Sequence, residues 1–156
     1  MITVDIPGRG KLEIKHVVLD YNGTMALDGN LLPGVEEKLN LLGEIIKVHI
    51  LTADTFGECR NRCEGINGTV NILSQQVGAE EKEAFVEELG AENVVAVGNG
   101  TNDSLMLDRA ALGIAVLGPE GMSVKALRGA DVAVKDINEG LELLIKPDRL
   151  KATLRG

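Results

Sequence analysis

The run Val17-Val18-Leu19 ends at Asp20 and is followed at once by Tyr21-Asn22-Gly23-Thr24. A short β-branched run without polar alternation reads as an interior strand of a parallel sheet, buried on both faces. In open α/β sheets the ligand crevice lies beyond the carboxyl ends of the strands, and Asp20 falls there. The same design returns at Val94-Val95-Ala96-Val97, followed by Gly98-Asn99-Gly100-Thr101-Asn102-Asp103. Two such carboxylates, Asp20 and Asp103, facing one crevice are in outline a nucleophile-plus-metal arrangement.

The rest of the chain supports this. Residues 2–15 alternate loosely around Pro7-Gly8-Arg9-Gly10 and read as an N-terminal β-hairpin. After the strand His16–Asp20, Leu27-Asp28-Gly29-Asn30-Leu31 has hairpin turn chemistry, which makes residues 21–33 a small flap. Pro33 is expected in the first turn of a helix whose apolar stripe is Val35, Leu39, Leu42 and Ile46. Strands follow at Val48–Leu51, Val70–Leu73, Val94–Val97, Gly113–Val116 and Val132–Val134. Between them lie helices at about 55–64, Ala79–Leu89, Asn102–Ala110 and Val124–Leu127, with Leu141–Ile145 and a tail helix from Pro147 closing the chain. Strands alternating with helices predict an α/β, three-layer, Rossmann-like fold: a central parallel sheet with helices on both faces. The length of 156 residues suits a single domain.

Composition narrows the function. The net charge is −8, no Lys/Arg cluster occurs, and one Tyr and two Phe are the only aromatics. Nucleic acid is not an expected partner. No apolar run approaches membrane-spanning length, and the N-terminus lacks a secretory pattern, so a cytoplasmic protein is expected. Cys59 and Cys63 share a helix face but lack the further ligands or CxxC spacing of a zinc or redox site; they read as partly buried thiols.

Taken in order, the motifs resemble the haloacid dehalogenase superfamily of aspartyl-phosphate-forming phosphotransferases. Within it they look closest to the phosphorylation domain of P-type cation ATPases. The carrying residues are Asp20-Tyr21-Asn22-Gly23-Thr24, then Thr52 closing Leu51-Thr52-Ala53-Asp54, then Lys82, then Gly98-Asn99-Gly100-Thr101-Asn102-Asp103. Leu112–Val116 and Gly129–Val134 continue the likeness. The resemblance implies a Mg²⁺-dependent phosphatase with Asp20 as nucleophile and Asn22, Thr52 and Lys82 as its catalytic companions. It implies a phosphoryl group held among Asp20, Gly23, Thr52, Ala53, Lys82 and Asn102. It places Mg²⁺ on Asp20, the backbone oxygen of Asn22, Asn99 and Asp103, the last either near the metal's waters or orienting Lys82.

Two departures matter. Ordinary phosphatases of the superfamily carry Asp where this chain has Asn22, and an amide cannot shuttle a proton. A metal-binding Asp is also replaced by Asn99, which brings an oxygen but no charge; Asp54 and Asp103 are the nearest candidates to compensate. The intervals from Asp20 to Thr52 and from Thr52 to Lys82 leave no room for a large cap or an adenine pocket, so an open site is expected, accessible to small or macromolecular phosphates. Slow phosphatase turnover is the leading reading. A phosphate-, Mg²⁺- or partner-protein-sensing module and a soluble ATP-driven autophosphorylating unit are the alternatives.

Overall fold

The computed structural model describes residues 1–54, 57–74 and 78–156. An antiparallel hairpin of β1 (Ile2–Ile6) and β2 (Gly10–Ile14) leads the chain. Next come β3 (His16–Asp20), a two-rung flap of β4 (Ala26–Leu27) and β5 (Asn30–Leu31), α1 (Val35–Gly43), β6 (Lys47–Thr52), α2 (Glu58–Arg62) and β7 (Thr69–Ile72). The second half runs α3 (Ala79–Glu88), β8 (Val94–Gly98), α4 (Ser104–Arg109), β9 (Leu112–Val116), α5 (Val124–Gly129), β10 (Val132–Val134), α6 (Ile137–Ile145) and α7 (Pro147–Leu154). The main sheet has six parallel strands in the order β10-β9-β8-β3-β6-β7.

Period-two alternation sorts the strand side chains onto two faces. Val17, Leu19, Val48, Ile50, Val95, Val97 and Ile114 point to one face, where the N-terminal hairpin, α1, α6 and α7 cover them with Leu39, Leu42, Leu141 and Leu150. Val18, Leu51, Val94 and Ala96 point to the other, under Val86 of α3, Met106 and Leu107 of α4 and Ala126 of α5. With helices on both faces, β8 and β9 are buried at every position, while the edge strand β7 is not.

The chain steps from β3 outward through β6 to β7, then returns to β8 beside β3 and continues the opposite way. The order therefore reverses between β3 and β8, and the crevice of such a sheet opens at that point. Asp20 and Asn99 sit on its two sides. No cap lies between β3 and α3 among the described residues: the flap, α1, β6, α2 and β7 make up that stretch.

Some boundaries differ from expectation. Pro33 lies in a turn ahead of α1 rather than in its first turn; Gly34, at φ 84°, precedes the helix. The closing helix starts at Ile137, four residues before the apolar Leu141, because Asp136 caps it by accepting from the Glu139 amide. The start of the helix expected from residue 55 lies outside the described residues. No helix among the described residues is long and apolar enough to cross a membrane.

Candidate active site

Asp20 ends β3 with its side chain 13% exposed. The turn after it closes on itself: the amides of Thr24, Met25 and Ala26 all donate to the Tyr21 carbonyl, and the Gly23 amide donates to Ala26 O at 2.8 Å. Gly23 adopts φ 83°, which only glycine takes without strain. Tyr21, 2% exposed, donates its hydroxyl to Gly29 O at 2.7 Å and ties the flap to the strand end. The Gly23 amide is therefore turned into the flap, and Gly23 is not among the residues that line the pocket.

Lys82 is the site's central cation. Its sequence neighbours Glu80, Glu81 and Glu83 make it look like a solvated helix charge, yet it is 1% exposed. Its Nζ lies 2.7 Å from Asp20 Oδ1 and 2.7 Å from Asp103 Oδ1. Burial works against the ammonium, but the two carboxylates outweigh it and hold Lys82 above its ordinary pKa. For Asp20 burial dominates and the Asp103 charge adds to it; Lys82 and Thr24 oppose them, and the net pKa is pushed up to about 6.

Asp103 has no solvent exposure. Its Oδ1 pairs with Lys82, and its Oδ2 accepts from the amides of Asn99 (3.1 Å) and Gly100 (2.9 Å). A side chain at Gly98 would bring its Cβ within 2.5 Å of the Asp103 carboxyl carbon, so the loop needs glycine there. Asp103 thus sits behind Lys82 and is not among the residues that line the crevice. Asp54 accepts from the Cys59 amide at the start of α2 and is not among the residues that line the pocket.

The pocket over these groups has a volume of about 260 Å³ and is lined by Asp20, Asn22, Thr52, Ala53, Leu73, Lys82, Asn99, Gly100, Asn102 and Glu120. The structure thus gathers Asp20, Asn22, Thr52, Ala53, Lys82, Asn99 and Asn102 in one place, with Asp103 directly behind. A larger hollow of about 440 Å³ lies among Met1, His16 and Lys47, at the opposite ends of β3 and β6. Among the described residues no cluster of three His, Cys, Asp or Glu side chains could hold a metal ion. Arg109 pairs with Glu87 on the surface, away from the pocket. Cys59 and Cys63 are free thiols, both buried, with sulfurs 3.9 Å apart.

Two residues went unassigned in the sequence. Thr24 was visible within the first motif; its hydroxyl lies 3.1 Å from Asp20 Oδ2 and 3.1 Å from Asn99 Oδ1, linking the two strand ends. Glu120 belongs to no motif. It reaches the pocket from the Gly118-Pro119-Glu120-Gly121 turn after β9.

A six-stranded parallel sheet of this order, with a strand-end aspartate at the reversal and helices on both faces, is the fold of the haloacid dehalogenase (HAD) superfamily hydrolases. The cobalt-bound deoxy-D-mannose-octulosonate 8-phosphate phosphatase of Haemophilus influenzae superposes with a TM-score of 0.72 at 13% identity, over 92% of this chain and 94% of that one. The 3-deoxy-D-manno-octulosonate 8-phosphate phosphatase of Moraxella catarrhalis, in complex with magnesium, phosphate and KDO, gives 0.66 at 20% identity, over 91% and 94%. By sequence, the chain belongs to the family of the uncharacterized protein MJ0073 of Methanocaldococcus jannaschii: it is 46% identical over 92 residues, 55% of this chain and 99% of that protein. It is also 48% identical over 63 residues to phosphoserine phosphatase of Archaeoglobus fulgidus, which is 35% of this chain but 18% of that protein. No protein-family model matches the chain.

Proposed function

We propose that this chain is a phosphohydrolase that works through an aspartyl-phosphate on Asp20 with the help of Mg²⁺. The observation that carries the proposal is the buried Lys82 ammonium held 2.7 Å from both Asp20 and Asp103. A lysine clamped there serves incoming phosphoryl oxygens as well as the carboxylate that attacks. The M. catarrhalis phosphatase, which shares the fold, and the A. fulgidus phosphoserine phosphatase, which shares a 63-residue stretch of sequence, support the reading.

The donor set fits a hard cation. Asp20 Oδ2 and Asn99 Oδ1 both lie 3.1 Å from the Thr24 hydroxyl, and the Asn22 backbone oxygen belongs to the same turn. Mg²⁺ takes oxygen ligands and retains several waters, so one or two carboxylates suffice. When bound there, the ion would neutralise charge between Asp20 and the phosphate. Asp20 attacks phosphorus, the bond from phosphorus to the leaving oxygen breaks, and that oxygen takes a proton. Lys82, Thr52 and the amides about Ala53 and Asn102 stabilise the transferring oxygens. Water then attacks phosphorus and gives up a proton to solvent, the bond from the Asp20 oxygen to phosphorus breaks, and inorganic phosphate leaves. Asn22 supplies no proton for the first step, so solvent in the uncapped pocket supplies it and turnover is slow. The likeness to P-type ATPase phosphorylation domains belongs to this proposal too: without a carboxylate at position 22 to activate water, the acyl phosphate persists.

Hydrolysis of para-nitrophenyl phosphate with Mg²⁺ or with EDTA, in wild type and Asp20→Asn, tests the reading. EDTA-sensitive hydrolysis that Asp20→Asn abolishes is expected. Equal rates in the two proteins would overturn it.

A further inference from the structure

We propose that Glu120 is a ligand of the divalent cation, supplying the carboxylate that position 99 lacks, and that Asn99 is the positioning residue that holds it there. The inference rests on the reading that the pocket takes such a cation.

Glu120 lines the pocket with Asp20, Asn22 and Asn99. Its approach to the metal side can be read from Gly23, whose nitrogen is bonded to the Asn22 carbonyl carbon. A Cβ built on Gly23 would collide with Glu120 Oε2 and would lie 2.7 and 3.0 Å from the two polar atoms of the Asn99 amide. The missing side chain leaves a cradle into which a carboxylate and an amide converge beside the Asn22 carbonyl. Among the described residues the Glu120 carboxylate has neither a hydrogen bond nor an ion pair of its own.

Asn99 explains why the charge has moved. Its Nδ2 donates to Gly121 O at 3.1 Å, and its backbone oxygen accepts from the Ser123 amide at 2.8 Å. Gly121 in turn donates to Gly118 O at 2.9 Å, closing the turn that carries Glu120. The Gly121 carbonyl can only accept, so the amide's nitrogen must face it, and Oδ1 is left toward Thr24 and Asp20. An aspartate at 99 would set a carboxylate oxygen against that carbonyl and release the turn. The amide keeps an oxygen on the metal side and fastens the loop that brings the charge back. Charge count agrees: Asp20, Asp103 and Glu120 against Lys82 leave two uncompensated negative charges, matching one divalent ion.

The test is cation binding by the full chain. Mn²⁺ is followed by electron paramagnetic resonance and Mg²⁺ by calorimetry, in wild type, Glu120→Gln and Asn99→Asp/Glu120→Gln. Glu120→Gln is expected to weaken binding about tenfold or more, and the double variant, with its carboxylate restored at 99, to recover most of it. Wild-type affinity in Glu120→Gln would overturn the assignment and leave the phosphatase reading to its own assay. No cation binding in wild type would bring down both.

Discussion

Replacing Lys82 by Met removes the ammonium between two carboxylates and keeps the side chain's length and apolar stem. Asp103 is fully buried and the Asp20 side chain 13% exposed, and the lysine is their shared partner at 2.7 Å. Removing one member of a buried ion pair costs about 3–5 kcal/mol, because it strands charge in a poorly solvated place. The penalty depends on pH. Asp20 is already pushed up to about 6 with Lys82 present; without it, Asp20 must rise further. A carboxylate raised in the folded state makes the fold bind more protons than the unfolded chain between the two pKa values. Its stabilisation is present below the ordinary carboxylate pKa and is lost as pH rises through the raised one. Urea unfolding in EDTA, followed by circular dichroism at pH 5 and pH 8, measures this. Lys82→Met should be about 3–5 kcal/mol less stable than wild type at pH 8, with that deficit at least halved at pH 5. Adding Asp20→Asn should recover part of the loss at pH 8. Equal stability of Lys82→Met and wild type at pH 8, or a deficit independent of pH, would refute the reasoning.

Asp20→Asn alone should abolish phosphatase turnover yet raise stability in EDTA at pH 8 by about 1–3 kcal/mol, since the wild-type charge sits there against burial; a less stable variant in urea would contradict this. Asn22→Asp puts a carboxyl on an exposed pocket position and should raise kcat by ~10²–10⁴ with little change in stability; an unchanged kcat would show that no proton donor is missing. Gly23→Ala strains a residue at φ 83° and pushes its Cβ into Glu120 and Asn99. It should cost about 1–3 kcal/mol and weaken Mn²⁺ binding; wild-type values for both would count against the cradle beside Asn22.

The sheet was legible because burial on both faces leaves a direct mark: the centre of β3 and all of β8 and β9 are buried and lack polar side chains, and β3 and β8 end at Asp20 and Gly98. Asp20, Thr52 and Asn99 could be located for the same reason, since each ends or directly follows such a strand. Lys82 was harder. Its three glutamate neighbours describe an exposed helix surface, and only the ordered motifs single it out; its burial depends on Asp20 and Asp103, distant in sequence. Glu120 left no local trace. Its turn, Gly118-Pro119-Glu120-Gly121, reads as surface loop, and what fixes it is a hydrogen bond from Asn99 across the pocket. The direction of the Gly23 amide was not legible, because the motif says nothing about which way an amide points, and here the flap claims it. The early start of α6 was available in principle: Asp136 precedes Glu139 by the spacing of a helix cap, but the apolar pattern at Leu141 outweighed it.

If Asp20 carries the phosphoryl group, trapping the acyl phosphate shows it directly. The reaction with para-nitrophenyl phosphate and Mg²⁺ is quenched in acid, the protein is reduced with borohydride, and its peptides are read by mass spectrometry. Conversion of Asp20, and of no other carboxylate, to homoserine is predicted, with none in Asp20→Asn. Modification at a different residue, or steady hydrolysis with Asp20 never modified, would contradict it.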